Sequence, residues 1–444
     1  MNSINIDFSK EIGKINPLHG VNSGPRTYSF YHNTSEYFVE AGIPFSRLHD
    51  TEYPYGSGHF VDIPCIFKNW DADENDPASY DFVFTDMYIQ AILDVGTEVF
   101  FRLGVSIEHA PIKRNIRMPK DFHKWARICE HIVRHYNEGW ADGHEWNIRY
   151  WEIWNEPDSI AMWLGSTEDY CRLYSITANH LKNCFGDTIK IGGFASSGFT
   201  GCADKNPSIH QQYLLEFADD FFKYITAPET KAPLDFLSWH LYTRDVYMLE
   251  SCAQYARKLL KDNGFENAES ILDEWNYSGP DMFNEMRNET GAAFAAGCLI
   301  AMQHNGVNVG CYYDAQPAMC YCGIFSLETR KPTKAFYSLK AWNELYKLGT
   351  EVESFSGSSD IRVCAAKNGN EAGILVSCFG NTEKNLRIIT SGLGFEKTKA
   401  TVYAIDKASF YEIIEESEFS GDAVIQRSCD DKTTFYIKLE RIPE

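Results

Sequence analysis

The stretch IRYWEIWNEP, residues 148–157, runs through aromatic and branched residues suited to a buried strand, then stops on Asn155, Glu156 and Pro157. A carboxylate set between an amide and a proline at the end of such a strand is a pattern to look for elsewhere. Seven further runs share it, each apolar and each ending in polar residues: LHGVNS (18–23), PFSRLHD (44–50), EVFFRLGVS (98–106), IKIGGFASS (189–197), DFLSWHLYT (235–243), SILDEWNYS (270–278) and VGCYYDAQ (309–316).

Helical patterns separate these runs. In DFHKWARICEHIVRHYNEG, Asp121 is placed to cap a helix, Phe122, Trp125, Ile128, Cys129, Ile132 and Val133 keep the three-four spacing of one buried stripe, and Gly139 ends it. TEDYCRLYSITANHLKNCFG closes likewise on Gly186, and PTKAFYSLKAWNELYKLG on Gly349. NETGAAFAAGCLIAMQHNG is nearly apolar through its middle and reads as a helix covered on more than one side. Eight strand–helix units over 15–349 predict an α/β protein, a closed (β/α)8 TIM barrel with long loops, since a compact one needs only about 250 residues. An open doubly wound sheet is the alternative, but neither G-x-G-x-x-G nor a P-loop follows the first strand.

After Gly349 the texture changes. Residues 350–444 hold alternating runs (IRVCAAKN, EAGILVSCFG, LRIITSG, KATVYAID, TTFYIKLE) between Gly, Asn, Asp and Ser turns, which predicts an accessory antiparallel β-sandwich. The strand-like SINIDFS near the start suggests that residues 1–14 complete it.

The net charge of −21 opposes a nucleic-acid partner and docking on anionic lipid. The N-terminal MNSINIDFSKEIGKINP lacks the apolar core of a signal peptide, and no run approaches the ~18 apolar residues of a membrane span, so a cytoplasmic protein is expected, with a homo-oligomer left open. Thirteen cysteines, many in core-like contexts, read as reduced thiols, and the C-x-C pair Cys320 and Cys322 has no second pair at zinc-finger spacing. Asp71, Asp73 and Asn75 imitate half a calcium loop, but Asp76 replaces its turn glycine and Phe82 its bidentate glutamate. His131 and His135 lie four apart without an H-E-x-x-H arrangement. No metal and no organic cofactor is expected.

In barrels of this kind chemistry sits at the C-terminal ends of the strands. The fourth strand then presents Asn155 and Glu156, and the seventh presents Asp273, Glu274, Trp275 and Asn276, so two carboxylates face one pocket. Trp151 and Trp154 read as core. Trp275, beside Glu274, is the better candidate for an aromatic platform at the mouth. His49 and Asp50 end the second strand, where they hold a substrate hydroxyl or bond to each other.

W-N-E-P after the fourth strand, D-E-W-N after the seventh and S-W-H-L-Y in the sixth resemble the retaining glycoside hydrolases of clan A, most closely family 39, the β-xylosidase and α-L-iduronidase family. INPLHGVN, FSRLHD, DPASYDFVFTDMYIQAILDVG and GIFSLETRKPTKAFYSLKAWNEL extend that likeness along most of the chain. The resemblance implies that Glu156 is the general acid/base, Glu274 the nucleophile, Asn155 the partner of a sugar 2-hydroxyl, and His240 and Tyr242 their neighbours. The chain departs from the family where Cys311, Tyr312, Tyr313 and Asp314 replace the usual eighth-strand tryptophan, which makes Tyr312 and Asp314 substrate-binding candidates. Arg102, in the third strand, is an unusual charge for the β-xylosidases and keeps acidic sugars in view.

The resemblance implies a retaining enzyme that removes the terminal sugar of short oligosaccharides, foremost a β-xylosidase. A β-glucoside, β-galactoside, arabinose-containing disaccharide, uronide or internal linkage is the alternative substrate, and an inactive sugar-binding barrel the alternative class. Acetal hydrolysis requires Glu156 protonated while Glu274 is ionised, and their mutual repulsion raises one of the two pKa values.

Overall fold

The structure, a computed structural model, describes residues 2–27, 33–50, 59–108, 111–316, 323–326, 328–380 and 385–443. Cys320 and Cys322 lie outside these residues, and the cysteines within them are free thiols. No helix among the described residues is long and apolar enough to cross a membrane.

Eight parallel strands close into a barrel in chain order: β2 (Gly20–Asn22), β3 (Phe45–Arg47), β4 (Glu98–Leu103), β5 (Tyr150–Ile153), β6 (Lys190–Ser196), β7 (Phe236–Thr243), β8 (Glu269–Tyr277) and β9 (Val309–Tyr312). The helices that follow them in turn are α1 (Ser35–Ala41), α2 (Val83–Asp94), α3 (Phe122–Glu138), α4 (Thr167–Phe185), α5 (Ile209–Thr226), α6 (Val246–Asp262), α7 (Glu289–His304) and α8 (Lys334–Leu348). Asp121 caps α3 by accepting from the His123 and Lys124 amides, and the left-handed Gly139 (φ 72°) ends it. Ser166 and Asp169 form a capping box at the start of α4.

Strand alternation sorts the barrel interior into layers. Phe45, Phe100, Tyr150, Phe236, Ile271, Val309 and Cys311 make a separate apolar plug. Two residues further along the same strands and faces stand Arg47, Arg102, Glu152, Ser238 and Asp273, all wholly buried. Polar groups thus lie above the plug, toward the C-terminal ends. Register shifts at Trp239/His240 in β7 and between Leu272 and Trp275 in β8 break the alternation, and Asp273 and Glu274 both contact Arg47.

The second layer of the molecule is one continuous nine-stranded sheet, ordered β15-β14-β17-β12-β11-β10-β1-β13-β16. Its strands are β1 (Asn2–Lys14), β10 (Thr350–Ser356), β11 (Ile361–Asn368), β12 (Glu371–Cys378), β13 (Asn385–Ser391), β14 (Lys397–Ile405), β15 (Phe410–Ser420), β16 (Val424–Ser428) and β17 (Thr433–Arg441). The two faces of the expected sandwich are hydrogen-bonded into this single sheet, whose strands share one core that includes Ile4, Ile6, Phe8, Ile374, Ile388, Val402 and Ile437. Every pairing is antiparallel except that of β1 with β13. The apolar helix α7 is buried from Thr290 to Gln303 because the barrel covers one side and the sheet the other: Ser377 of β12 donates to the Ala293 carbonyl at 2.7 Å.

Candidate active site

The turn after β5 is built against ordinary backbone preference. Trp154 and Glu156 both have positive φ, 73° and 44°. The Trp154 amide donates to the Leu103 carbonyl (2.8 Å) and the Glu156 amide to the Ala195 carbonyl (3.0 Å), so both neighbouring strands hold the turn in this form. Trp154 is buried and donates its indole N–H to the Met162 carbonyl, and Trp151 is equally buried, so both belong to the core. Asp158 closes the turn from below by accepting from the Ser196 and Ser197 hydroxyls, and burial together with the nearby Glu156 pushes its carboxyl up to about 6.

Arg47 is the hub of the buried layer. Its Nη2 donates to Glu152 Oε2 (2.7 Å) and to Asn155 Oδ1 (2.6 Å), Nη1 to Asn22 Oδ1 (3.1 Å) and Glu274 Oε2 (3.2 Å), and Nε lies 2.9 Å from Asp273 Oδ2. Burial would pull its charge off, but Glu152, Asp273 and Glu274 hold the guanidinium firmly protonated. Among those carboxyls, burial pushes Glu152 up to about 8 against the pull of Arg47, while Arg47 and His240 overcome burial and keep Asp273 below the usual carboxylate range. Removing this cation leaves buried carboxylates uncompensated. Arg47→Met is therefore expected to cost about 3–5 kcal/mol of stability, read from denaturant midpoints. A loss within ~0.5 kcal/mol, the range of an ordinary surface substitution, would remove the hub role.

Glu274 is fixed from three sides. Tyr242 Oη donates to its Oε1 at 2.5 Å, Arg47 reaches Oε2, and His240 Nδ1 lies 3.7 Å from Oε2. His240 Nδ1 is also 2.9 Å from Glu156 Oε1, so one imidazole bridges the two glutamates, with Nε2 3.5 Å from Asp273. Burial would lower the imidazole pKa, but Glu274 and Asp273 raise it well above its ordinary value. Burial and the proximity of Glu156 raise the Glu274 carboxyl, with His240, Arg47 and the Tyr242 hydrogen bond opposing. Carboxylate oxygens of Glu156 and Glu274 lie within 4.8 Å of each other. Their exposure differs: 17% for the Glu156 side chain and 6% for Glu274, which places Glu156 nearer solvent.

The remaining candidates divide. Asn155 is wholly buried, and its Nδ2 has no hydrogen-bond partner while Oδ1 is held by Arg47. His49 Nε2 lies 3.9 Å from Glu274 and 3.5 Å from Asp50, without a hydrogen bond to either, and burial beside Arg47 and Arg102 keeps its ring neutral. Asp50 accepts from Tyr313 Oη at 2.9 Å and from the Ile107 amide at 3.0 Å. Asp314 is buried close to both Asp50 and Glu274, and burial raises its carboxyl well above the ordinary range.

Two expectations are overturned. Trp275 is 1% exposed and packs edge-on against Tyr312 (centroids 4.9 Å apart) in the core shared with the helices, so it is no sugar platform. Tyr312 points the same way, out of phase with its inward neighbour Cys311, and its hydroxyl is spent on Asn276 Oδ1 (2.7 Å), which leaves it no substrate contact. Arg102 Nη2 donates to Asp62 (2.6 Å) and Ser106 (3.0 Å), while its Nε and Nη1, also buried, have no hydrogen-bond partner.

Sequence reasoning missed Arg47, Tyr313 and Asp158. Tyr313 is the eighth-strand aromatic that faces the site, ringed by Asp50, His49 (centroids 6.4 Å apart) and Tyr242 (6.3 Å). Glu156, His240 and Glu274 also gather their donor atoms within the span of a metal site, but the Arg47 charge on Glu274 and the protonation of His240 disfavour a cation there.

Comparison with known proteins adds a family. The model for glycosyl hydrolases family 39 matches residues 4–306. A β-xylosidase from Geobacillus stearothermophilus is 26% identical over 202 residues, and one from Caldicellulosiruptor saccharolyticus 25% over 260. Those matches take in 43% and 55% of this chain but only 36% and 46% of the relatives, so the chain matches less than half the length of either. Among solved structures, a glucosidase from Croceicoccus marinus superposes with a TM-score of 0.81 at 20% identity, covering 100% of this chain and 99% of its own. A monomeric β-xylosidase from Caulobacter crescentus does so at 0.71 and 15%, covering 100% of both. At these identities the superpositions speak for the shared fold.

Proposed function

The chain belongs to glycosyl hydrolase family 39, and from that membership and the glutamate pair we propose that it is a retaining exo-glycosidase acting on the terminal β-xyloside of short oligosaccharides. The observation that carries the reading is that Glu156 and Glu274 face each other across one imidazole, with an oxygen of each carboxyl within 4.8 Å of the other, as suits the closely set carboxyls of retaining pairs, ~5–5.5 Å apart.

In this reading Glu274 attacks the anomeric carbon while Glu156 protonates the departing oxygen, and water then releases the sugar with Glu156 as base. Arg47, Tyr242 and His240 hold the Glu274 carboxylate in place and favour its ionised form. The unpartnered Asn155 Nδ2 supplies a donor for the sugar 2-hydroxyl, and His49, Asp50 and Asp314 line the place of the remaining hydroxyls. Early-product NMR tests the stereochemistry: the first-formed sugar is expected to keep the substrate's anomeric configuration, and an inverted anomer appearing first overturns the mechanism. A panel of nitrophenyl glycosides tests the sugar, with the β-xyloside expected to give the highest kcat/KM and a β-glucoside winning under the alternative.

The pH profile follows from the charges. The retaining mechanism works with Glu274 ionised and Glu156 protonated, so activity is expected to follow a bell in pH. Because burial raises Glu274, the acidic limb is expected above the ordinary carboxylate range. On an activated aryl glycoside, Glu156→Gln is expected to flatten the alkaline limb. If that limb survives unchanged, another group, His240 foremost, controls it and Glu156 loses the acid role.

A further inference from the structure

Away from the glutamates, at the opposite end of β5, the chain gathers three more ligating side chains. Asp86 comes from the first turn of α2, His135 from the last turn of α3, and His144 from the loop that joins α3 to β5. That loop is tied down: after Gly139 it folds back, the His144 amide donating to the His135 carbonyl (2.6 Å) and the Trp146 amide to the Tyr136 carbonyl (2.8 Å). Stacking fixes both rings, His135 on Phe82 (centroids 3.6 Å apart) and His144 on Trp146 (3.7 Å).

Donor atoms of the three side chains converge. His135 Nδ1 lies 2.9 Å from the Trp140 carbonyl, which can only accept, so the proton of the neutral ring sits on Nδ1 and Nε2 carries a lone pair. That Nε2 faces Asp86 Oδ1 at 3.0 Å, an oxygen that already accepts from Tyr136 Oη at 3.0 Å. His144 Nε2 stands 3.6 Å from Asp86 Oδ2, too far for a hydrogen bond. One metal ion placed between them would take a ligand from each side chain. One donor atom from each side chain lies within 4.8 Å of the others, with His135 Nε2 3.0 Å from Asp86 Oδ1 and His144 Nε2 3.6 Å from Oδ2 of the same carboxylate, near the ~3.3 Å between neighbouring ligands of a tetrahedral ion with ~2.0–2.1 Å bonds. The Nδ1–carbonyl bond is also the usual way a ligating histidine is oriented.

We propose that Asp86, His135 and His144 form a binding site for a divalent transition-metal ion of the zinc class, clamping α2, α3 and the loop before β5. Two imidazoles and one carboxylate suit zinc better than calcium or magnesium, which take oxygen ligands. His135 is buried and the His144 side chain is 31% exposed, so the fourth position opens to water on the His144 side. Two similar clusters lack these features. At Glu130, His180 and Cys184, Arg134 already occupies the carboxylate at 2.8 Å, and at His304, Glu351 and Cys364 burial holds the thiol protonated.

The test is calorimetric titration of the chelator-stripped full chain with zinc chloride at neutral pH. One equivalent is expected to bind, with affinity falling roughly 100-fold or more in His144→Gln and in Asp86→Asn. Zinc should raise Tm in the native chain and not in these variants, while their kcat/KM on an aryl glycoside stays within about twofold of the native value, as expected of substitutions far from the chemistry. Glu274→Gln separates this site from the glutamate pair and is expected to keep the equivalent. No stoichiometric binding, equal binding by His144→Gln, or loss of the equivalent in Glu274→Gln would each overturn the proposal.

Discussion

Glu274→Ala is expected to lower kcat on the order of 10^5-fold on every glycoside, whatever its leaving group, because no departing group substitutes for a missing nucleophile. The void left beside Tyr242, Arg47 and His240 keeps its positive lining, since those three groups are otherwise anchored on Asn155, Glu152 and Asp273 or on the backbone of β7. A small anion such as azide should enter it and restore turnover on an activated substrate, giving a glycosyl azide of inverted configuration. Rescue with retained configuration, or loss confined to poor leaving groups, would move the nucleophile elsewhere. Because the substitution also removes a partner of Arg47, Glu274→Gln serves as the companion variant: it keeps the packing, and its kcat is expected to fall as far.

Glu156→Ala is expected to behave differently. With a poor leaving group, such as the sugar of an unactivated disaccharide, kcat/KM should fall about 10^3–10^4-fold, near the upper range of a positioned general acid. With a nitrophenyl leaving group the first step needs no acid, so the loss in kcat/KM should be far smaller and the intermediate on Glu274 should accumulate, since deglycosylation lacks its base. A plot of log kcat/KM against leaving-group pKa measures this: it should steepen in the variant. Parallel lines for variant and native enzyme would deny Glu156 the role. The greater exposure of Glu156 fits it, because the acid must reach an oxygen on the side from which the aglycone leaves.

The barrel was legible because each strand ends in a polar cluster and the intervening helices carry their own caps, Asp121 and Gly139 being the clearest. Glu156, Glu274, Asn155, His240 and Tyr242 were legible because short motifs place them at strand ends. What failed was parity. Beyond the last regular pair of a strand, a residue faces the pocket or the helices according to register shifts, and those at β7 and β8 leave no mark in sequence. Hence Trp275, next in the chain to Glu274, turned out to be core, and Tyr313, rather than Tyr312, faces the site. Arg47 escaped notice because FSRL reads as an ordinary strand, although the spacing of Phe45 to Arg47, Tyr150 to Glu152 and Ile271 to Asp273 repeats one signal: an apolar residue followed two positions later by a charge. With Phe100 to Arg102, four such pairs predict a charged layer above an apolar one. Asp86, His135 and His144 were out of reach for another reason, since only tertiary packing brings α2, α3 and the following loop together.

The place of β1 has a consequence for the order of synthesis. It lies inside the nine-stranded sheet, hydrogen-bonded to β10 on one side and β13 on the other, yet the entire barrel separates it from both in the chain. On the ribosome it emerges long before either partner and must wait, with Ile4, Ile6 and Phe8 unburied, until residues 350–391 have followed. Such distant pairing is slow and comes late, so the barrel has time to fold around its own short-range contacts before the sheet can close. A nascent chain arrested anywhere within 15–349 therefore carries an apolar strand without its partners. It is a ready substrate for chaperones, and its first strand is protected only once β10 and β13 have been made.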